Sequence, residues 1–329
     1  MDISKIYELE PQMKTYGAIG YDWKPFIMHI QQSNFRSRIV NTDNFGLRFN
    51  DQEISNSIFD EKALIKKKFG VMVGASAVFG VGSTLDKYTI PSFLTKNTEL
   101  HYYNLGGRAY CGFQEIIFFN SLIKNLKKIQ QVIIFSGLND IFLNSYIDNY
   151  DKILGPMFYT NEFKEKMKKE SINWKKKLKQ QFFNFFSKSN SSDEKLEINT
   201  IEDIFKIIKR NLISWATIKN GMNVKLFYFL QPTPNWCKKD LSDEEDIIFK
   251  ELDKGSKRTH ECLKLLNLDL YHRYKKFLSE TCRELDINFY DCNDYFSKDE
   301  FNKKWLFVDR VHLTDLGNKL ISEYIKTKI

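Results

Sequence analysis

The sequence predicts an α/β fold, a three-layer α/β/α sandwich with a mainly parallel sheet of about five strands and a helical insertion. Short apolar runs of strand length recur along the chain, and segments with apolar residues at helical spacing lie between them. Buried strands that alternate with helices are typical of a parallel sheet covered on both faces. The five runs occupy residues 66–76, 98–107, 131–140, 223–234 and 286–296.

Helices are expected between these runs and after the last one. Apolar residues recur at helical spacing over 113–129, a helical pair is expected over 242–285, and a last helix begins near Thr314. The alternation is interrupted over 149–199, a basic and then Ser/Asn-rich stretch that we interpret as a helical insertion. Residues 1–60 show no regular pattern, so we expect an N-terminal extension packed on a core domain of residues 61–329.

Composition excludes several classes of protein. The chain has 329 residues, of which 42% are hydrophobic, enough to bury a full core. The net charge of +8 is spread among charges of both signs, unlike the footprint of a nucleic-acid binder. The five cysteines are odd in number and the histidines are not spaced as metal ligands, so we expect no disulfide framework, no metal site and no cofactor.

The expected location is the cytoplasm. The N-terminus lacks the basic and apolar regions of a signal peptide, and no stretch approaches the length of a membrane span. Residues 164–179 hold eight lysines against two glutamates, interleaved with apolar residues. The basic segment 161–190 therefore suits docking on an anionic membrane surface or a protein, or a lid helix with a solvated lysine face.

Ser76 follows the first apolar run directly, in Gly74-Ala75-Ser76. Ligands bind at the carboxyl ends of parallel strands, and the N–H groups of a following helix point into the same crevice. The position suits a serine nucleophile. A phosphate-binding turn or a plain strand–helix turn has the same pattern, so this feature alone is ambiguous.

Asp309 and His312 lie three residues apart, just before the last predicted helix. An aspartate at this spacing can hold Nδ1–H of the imidazole while Nε2 takes a proton from a serine hydroxyl. A helix-entry aspartate beside a surface histidine gives the same short pattern.

Two other strand ends offer hydrogen-bond donors. Asn139 follows the third run, where its amide can donate to an oxyanion, although asparagine is also a common helix cap. Gly106, Gly107 and Ala109 follow the second run, where a free backbone N–H is a second candidate donor and a plain loop is the alternative.

In their order, these four segments resemble the blocks of the SGNH (GDSL-like) hydrolase superfamily. The matching stretches are residues 74–76, 104–114, 137–140 and 309–312. The resemblance covers about residues 39–143 and 222–327 and leaves out the basic segment. NTDNFGLRFND, near residue 41, is also similar to a segment that precedes the first block in many glycan-modifying members.

The resemblance implies a serine mechanism. Ser76 corresponds to the nucleophile, His312 to the base and Asp309 to its partner. The implied oxyanion hole consists of the backbone N–H of Ser76, a backbone N–H of Gly107 or Ala109, and the side chain of Asn139.

The chain departs from the family pattern at two positions. Ala75 stands where the family has an aspartate, which is not the acid of the triad. Ala109 stands where the family has a glycine, so the sequence leaves open whether Gly107 or Ala109 supplies the N–H.

Three further side chains are candidates for substrate binding. Arg108 lies between the residues of the second block and can pair with a substrate carboxylate or phosphate, or with groups of its own fold. Gln231 and Trp236 follow the fourth run and can line a sugar or acyl pocket, although packing in the core or at the rim is the commoner role of such residues.

The function expected from the sequence is a serine-dependent ester hydrolase that forms an acyl-serine, acting on acylated sugars of a bacterial surface glycan. The alternative is an O-acyltransferase, for which acyl-CoA is a candidate donor. A non-catalytic binding protein on the same fold is a third hypothesis, supported by the missing aspartate at position 75. The GxSxG and GxxxxGK[ST] fingerprints are absent from the sequence.

Overall fold

The computed structural model of the chain describes most of the residues outside the predicted insertion. The predicted insertion at 149–199 lies outside the described residues, apart from Phe163 and Glu165. The described residues are 3–24, 26–50, 68–122, 128–144, 163, 165, 201–237, 239–254, 264 and 266–329.

A five-stranded, all-parallel sheet forms the centre of the fold, in the order β4-β3-β5-β6-β7. Each of the five apolar runs of the sequence supplies one of its strands, so the predicted α/β fold is confirmed. The strands are β3 (Phe69–Gly74), β4 (His101–Gly106), β5 (Ile129–Ser136), β6 (Lys225–Leu230) and β7 (Asn288–Asp291).

Side chains of each strand alternate between two apolar cores, one on each face of the sheet. In β3, Val71 and Val73 belong to one core and Met72 to the other. Since all three are fully buried, both faces of the sheet are covered, which explains why the strands read as continuous apolar runs.

Helices on both faces complete the three layers. One core includes residues of α5 (Gly112–Leu122), α7 (Ile201–Met222) and α10 (Leu268–Glu284). The other includes residues of α3 (Ser76–Phe79), α4 (Ile90–Asn97), α9 (Asp243–Leu252), α11 (Cys292–Phe296) and α12 (Asp315–Lys326). The short helices α6 (Asn139–Asn144) and α8 (Pro234–Cys237) follow β5 and β6. None of the described helices combines the length and the apolar character needed to cross a membrane.

The helix predicted over 113–129 does not reach Ile129. The structure assigns Gly112–Leu122 to α5, and Ile129 already belongs to β5, where it pairs with Phe69. Ile129 is buried in the strand, so the apolar pattern continues from the helix into the next element. Periodicity alone could not separate the two.

The N-terminal segment is regular, contrary to the sequence interpretation. It forms α1 (Ile3–Leu9), α2 (Met13–Ala18) and an antiparallel hairpin of β1 (Tyr21–Lys24) and β2 (Met28–Gln31). These elements are short, and isolated helices and hairpins of this length are marginal in water. Contacts with the core therefore determine their structure, which explains why the sequence pattern is weak.

Candidate active site

Ser76 is the first residue of α3 and lies two residues after the end of β3, with Ala75 between them. The peptide before it is tightly packed, because a Cβ at Gly74 would lie 2.3 Å from the carbonyl oxygen of Phe135. The first N–H groups of a helix have no intrahelical acceptor. Within the described residues the N–H of Ser76 has no acceptor either, so it is available to a ligand beside its own hydroxyl.

Ser76, His312 and Asp309 form a continuous hydrogen-bonded chain. His312 Nε2 lies 2.7 Å from Ser76 Oγ, and His312 Nδ1 lies 2.7 Å from Asp309 Oδ2. An acceptor at Nδ1 selects the tautomer that carries its proton there and leaves Nε2 as the acceptor for the serine O–H. The arrangement can therefore remove the Ser76 proton during attack on a carbonyl carbon.

The carboxylate of Asp309 is held in place by its own loop. Its Oδ1 atom accepts the N–H groups of Val311 at 2.8 Å and of His312 at 2.7 Å. Burial raises the pKa of Asp309, but the His312 imidazole and these two N–H groups outweigh it and bring the pKa below its ordinary value. Asp309 is therefore the charged partner that an imidazolium at His312 requires.

Three contacts hold the loop that carries His312. Gln231 donates from Nε2 to the carbonyl of Val311 at 2.6 Å, and Val308 donates to the carbonyl of His312 at 3.0 Å. Arg310 forms an ion pair with Asp253, the residue that follows α9. The loop is thus tied to the ends of β6 and α9, which limits the freedom of the imidazole.

A second set of contacts joins the loop after Ser76 to the start of α12. The backbone N–H of Thr84 donates to Asp315 Oδ1 at 2.9 Å, and Asn318 Nδ2 donates to Ser83 Oγ at 3.0 Å. These bonds align the two segments that supply Ser76 and His312, which are distant in sequence.

Asn139 begins α6 at the carboxyl end of β5. Its side-chain Nδ2 donates to the carbonyl of Tyr110 at 2.7 Å. A primary amide has two N–H donors, so the bond to Tyr110 leaves one for a ligand. The side chain lines the same cavity as Ser76 and His312.

Gly107 is not placed to donate to an oxyanion. Its N–H extends the β3–β4 ladder and donates to the carbonyl of Gly74 at 3.0 Å. A glycine is needed there for packing, because a Cβ would lie 2.0 Å from the ring of Tyr110. The sequence analysis left Gly107 and Ala109 as alternative backbone donors to an oxyanion. The bond to Gly74 excludes Gly107.

Ala109 lines the cavity with Ser76, and its N–H has no acceptor among the described residues. Its φ of +62° is in the left-handed region, which glycine adopts without cost and alanine does not. This conformation gives a physical reason for a glycine at this position. The structure thus favours Ala109 as the second backbone donor.

Arg108 lines the cavity beside Ser76, and its guanidinium is bonded to the N-terminal segment, so its contact with a substrate stays a prediction. Its guanidinium donates to the carbonyls of Tyr16 and Ile19 at 2.6 Å each and to Gln31 Oε1 at 2.5 Å. The side chain also stacks on the ring of Tyr21 at 4.6 Å. The sequence left open whether Arg108 pairs with a substrate anion or with groups of its own fold. The observed partners belong to the fold, and they are amide oxygens of the backbone and of Gln31 and not carboxylates.

Gln231 and Trp236 do not line the described cavity. Gln231 is buried and acts on the loop of His312 through its bond to Val311. Trp236 is 2% exposed and stacks on Tyr271 at 5.2 Å between ring centroids. Both side chains thus support neighbouring structure, and the substrate contacts suggested by their sequence positions are not formed with this cavity.

Ala75 is buried among apolar side chains and precedes α3 without a side-chain cap. A carboxylate there would require a partner, whereas a methyl group does not. The Ser76–His312–Asp309 chain is complete with alanine at this position.

Within the residues that the structure covers, no group of three potential metal-ligating side chains is found.

A cavity of about 520 Å³ opens beside Ser76 and His312, and the sequence pattern does not predict much of its lining. Seven of its lining residues belong to the first 21 residues, for which no regular structure is expected from the sequence. The apolar spacing of Ile3, Ile6 and Tyr7 is the i, i+3, i+4 pattern that could have indicated α1. Those seven residues are Ile3, Ile6, Tyr7, Met13, Tyr16, Gly17 and Tyr21.

No family model matches the sequence, and no curated protein matches it either. Among solved structures the chain is similar to an acetyl xylan esterase, AlAXEase, at 10% identity and a TM-score of 0.45, covering 79% of this chain and 98% of that one. It is also similar to a putative lipolytic protein of the G-D-S-L family from Desulfitobacterium hafniense, at 12% identity and a TM-score of 0.44, covering 80% and 100%.

A lipase/acylhydrolase from Enterococcus faecalis is similar at 12% identity and a TM-score of 0.41, covering 80% of this chain and 95% of that one. The structures to which this chain is similar thus include proteins named as G-D-S-L lipolytic proteins.

Proposed function

We propose that the protein is a serine ester hydrolase that acts through an acyl-serine intermediate. The observation that carries the proposal is the pair of 2.7 Å contacts linking Ser76 Oγ to His312 Nε2 and His312 Nδ1 to Asp309 Oδ2. A serine hydroxyl has little nucleophilicity unless a base takes its proton. This geometry supplies that base and a carboxylate that stabilises the resulting imidazolium.

In the proposed first step, Ser76 Oγ attacks the ester carbonyl carbon while its proton moves to His312 Nε2. The carbonyl oxygen becomes an oxyanion, for which the N–H groups of Ser76 and Ala109 and the side-chain amide of Asn139 are the available donors. Donors of this kind are worth about 3–4 kcal/mol each in the transition state. When the intermediate collapses, His312 gives its proton to the departing alkoxide, and an ester of Ser76 remains.

In the proposed second step, His312 takes a proton from water, and the hydroxide attacks the acyl-serine. The second tetrahedral intermediate collapses, Ser76 regains its proton from His312, and a carboxylic acid leaves. Every proton is carried by His312, so the reaction needs no cofactor.

For the natural alcohol we propose a sugar hydroxyl of a surface glycan, on the resemblance of the 41–51 segment to glycan-modifying hydrolases. Arg48 in this segment is buried and pairs with Asp86 at 2.7 Å, and Asn41 donates to the same carboxylate at 2.6 Å. The described residues of this segment, 41–50, support the loop after Ser76 and do not line the cavity. The proposal for the alcohol therefore depends on the sequence resemblance alone.

With a sugar hydroxyl in place of water, the same acyl-serine would make the protein an O-acyltransferase. Adding sugar acceptors during hydrolysis of an activated ester distinguishes the two reactions. A hydrolase releases the acid at an unchanged rate, whereas a transferase diverts the acyl group to the sugar.

The proposed mechanism is tested by hydrolysis of p-nitrophenyl acetate and butyrate. We expect Ser76→Ala and His312→Ala to lose about 10⁴-fold or more in turnover, because each removes a member of one proton-transfer unit. Ser297→Ala and His272→Ala change exposed residues of the same types and are expected to keep full activity. Circular dichroism reports whether each variant is folded.

Absence of turnover in the folded wild type, together with no labelling of Ser76 by a fluorophosphonate, would contradict the proposal. That result is the one expected of a non-catalytic binding protein.

A further inference from the structure

The cavity beside Ser76 has an apolar wall that belongs to the N-terminal segment. Ile6 of α1, Met13 of α2 and Val81 lie on this side, and Phe142, Leu252 and Val311 line the remainder. Its volume of about 520 Å³ is within the range of small-molecule binding sites. A space of this size is not needed to accommodate an acetyl group.

Two polar side chains of the wall, those of Tyr16 and Arg108, are bonded to the protein, and Tyr7 and Tyr21, each with a hydroxyl, also lie in this wall. The Tyr16 hydroxyl contacts the carbonyl oxygens of Gly80 at 2.6 Å and Ser83 at 2.7 Å and accepts a hydrogen bond from Arg48. Arg108 donates to backbone carbonyls of the N-terminal segment. A sugar in this mostly apolar cavity would lose hydrogen bonds to water and regain only a few of them, whereas an alkyl chain would lose none.

The position of α2 is well determined by buried contacts. Gln12 donates to the carbonyl of Gly82 at 3.1 Å, and Tyr16 is 4% exposed. Arg48 donates to the hydroxyl of Tyr16, and Arg108 donates to its backbone carbonyl. Helix α1 is additionally joined to α9 by the Lys5–Glu251 pair at 3.6 Å. The wall is therefore a preformed surface that can discriminate ligands by shape and not only by polarity.

We propose that this cavity holds the acyl group of the ester, and that Ile6 and Met13 determine the acyl chain length. The substrate class is then an ester of an aliphatic acid with several methylene groups, with its carbonyl carbon at Ser76 and its alkyl chain against α1 and α2. This inference rests on the proposed serine mechanism and specifies which ester it cleaves.

The experiment compares kcat/KM for p-nitrophenyl acetate, butyrate, hexanoate and octanoate. The leaving group is the same in all four, so differences report on the acyl side alone. We expect kcat/KM to rise with chain length by about fourfold per added methylene, from a transfer free energy of about 0.8 kcal/mol per buried CH₂, until the cavity is filled.

Two variants move the chain-length optimum in opposite directions. Ile6→Trp fills the cavity and is expected to lower the ratio of kcat/KM for octanoate to that for acetate at least tenfold. Ile6→Ala enlarges it and is expected to raise this ratio. Ile213→Trp places the same side chain at an exposed position on α7 and is expected to leave the ratio unchanged.

A wild-type profile that is flat or falls from acetate to octanoate overturns the acyl-cavity proposal and leaves the serine mechanism intact, since acetate is still cleaved by way of Ser76. A rising profile that is unaffected by both Ile6 variants overturns the role of α1. Failure of the serine mechanism gives a different result, namely no cleavage of any of the four esters and no fluorophosphonate labelling of Ser76.

Discussion

The side-chain amide of Asn139 donates to the backbone carbonyl of Tyr110 at 2.7 Å, which joins the loop after β5 to the loop after β4. Asp140, the residue after Asn139, makes a second connection between the two loops, because its Oδ1 atom accepts the N–H of Gly112 at 3.1 Å. The loop that presents the N–H of Ala109 is thus held by the residues that present the amide of Asn139. Two of the proposed oxyanion donors are therefore fixed relative to one another.

Replacing Asn139 by alanine removes one of these donors. We expect kcat for p-nitrophenyl butyrate to fall by about 10²–10³-fold, with a much smaller change in KM, because an oxyanion donor acts mainly in the transition state. Steady-state kinetics of Asn139→Ala measures both constants. Asn220→Ala, at an exposed position on α7, is the control. An unchanged kcat would remove Asn139 from the mechanism.

Replacing Asp309 by asparagine keeps the shape of the side chain but not its charge. Asparagine can donate to Nδ1, which favours the tautomer with the proton on Nε2 and leaves no base for Ser76. We expect kcat to fall on the order of 10⁴-fold. Asp240→Asn, at an exposed position, is expected to have wild-type activity. A loss below tenfold in Asp309→Asn would show that the aspartate is not needed to orient His312.

The lowered pKa of Asp309 also predicts a dependence of stability on pH. Asp309 titrates below its unfolded value near 3.9, so its ionised form stabilises the folded state above that pH. This contribution is lost as the pH falls through the lower, folded-state pKa. In urea unfolding between pH 2.5 and 6, the stability advantage of wild type over Asp309→Asn is expected to shrink on acidification. A constant difference would contradict the assignment.

Ala109 offers a prediction about backbone conformation. Its φ of +62° costs alanine about 1 kcal/mol relative to glycine, partly offset by the greater freedom of glycine in the unfolded chain. We therefore expect Ala109→Gly to raise the free energy of unfolding by up to about 1 kcal/mol and to retain the N–H donor and the activity. Ala77→Gly, within helix α3, is expected to destabilise by a similar amount. Destabilisation by both substitutions would argue against a strained alanine.

Glu10 connects α1 to α2 and is fully buried, and within the described residues neither carboxyl oxygen has a hydrogen-bond partner. Burial raises its pKa to about 9, and the carboxylates of Asp309 and Asp315 contribute in the same direction. The folded protein therefore keeps a proton on Glu10 that the unfolded chain releases near pH 4.3. The free energy of unfolding is reduced progressively as the pH rises from that value to 9.

Substituting Glu10 by glutamine removes this penalty. The stability of Glu10→Gln relative to wild type is expected to increase between pH 5 and pH 8 by on the order of 3 kcal/mol, measured by urea unfolding at both values. Comparing two pH values cancels the cost of burying the amide itself. Glu8→Gln alters an exposed residue of α1 and is expected to show no such trend. A trend of the opposite sign would mean that Glu10 is ionised in the folded protein.

The sequence by itself determined the strands of the sheet and the residues at their carboxyl ends. The runs that form β3, β5 and β6 are buried on both faces, so their pattern is local and visible, and parallel strands bring their carboxyl ends to the same edge. Ser76 lies two residues after β3 and Asn139 three residues after β5, and the Asp309–His312 spacing is short enough for a contact within one loop. The order and spacing of these residues along the chain therefore suffice to predict that they share one site.

Only the tertiary structure decided which groups around that site are available. Gly107 and Ala109 both carry an N–H, and the ladder bond to Gly74 alone distinguishes them. The acceptors of Arg108 include the backbone carbonyls of residues 16 and 19, which no side-chain pattern can indicate. The apolar wall of α1 and α2 likewise exists because two short helices pack on a core distant in sequence, and such contacts leave little local periodicity to read.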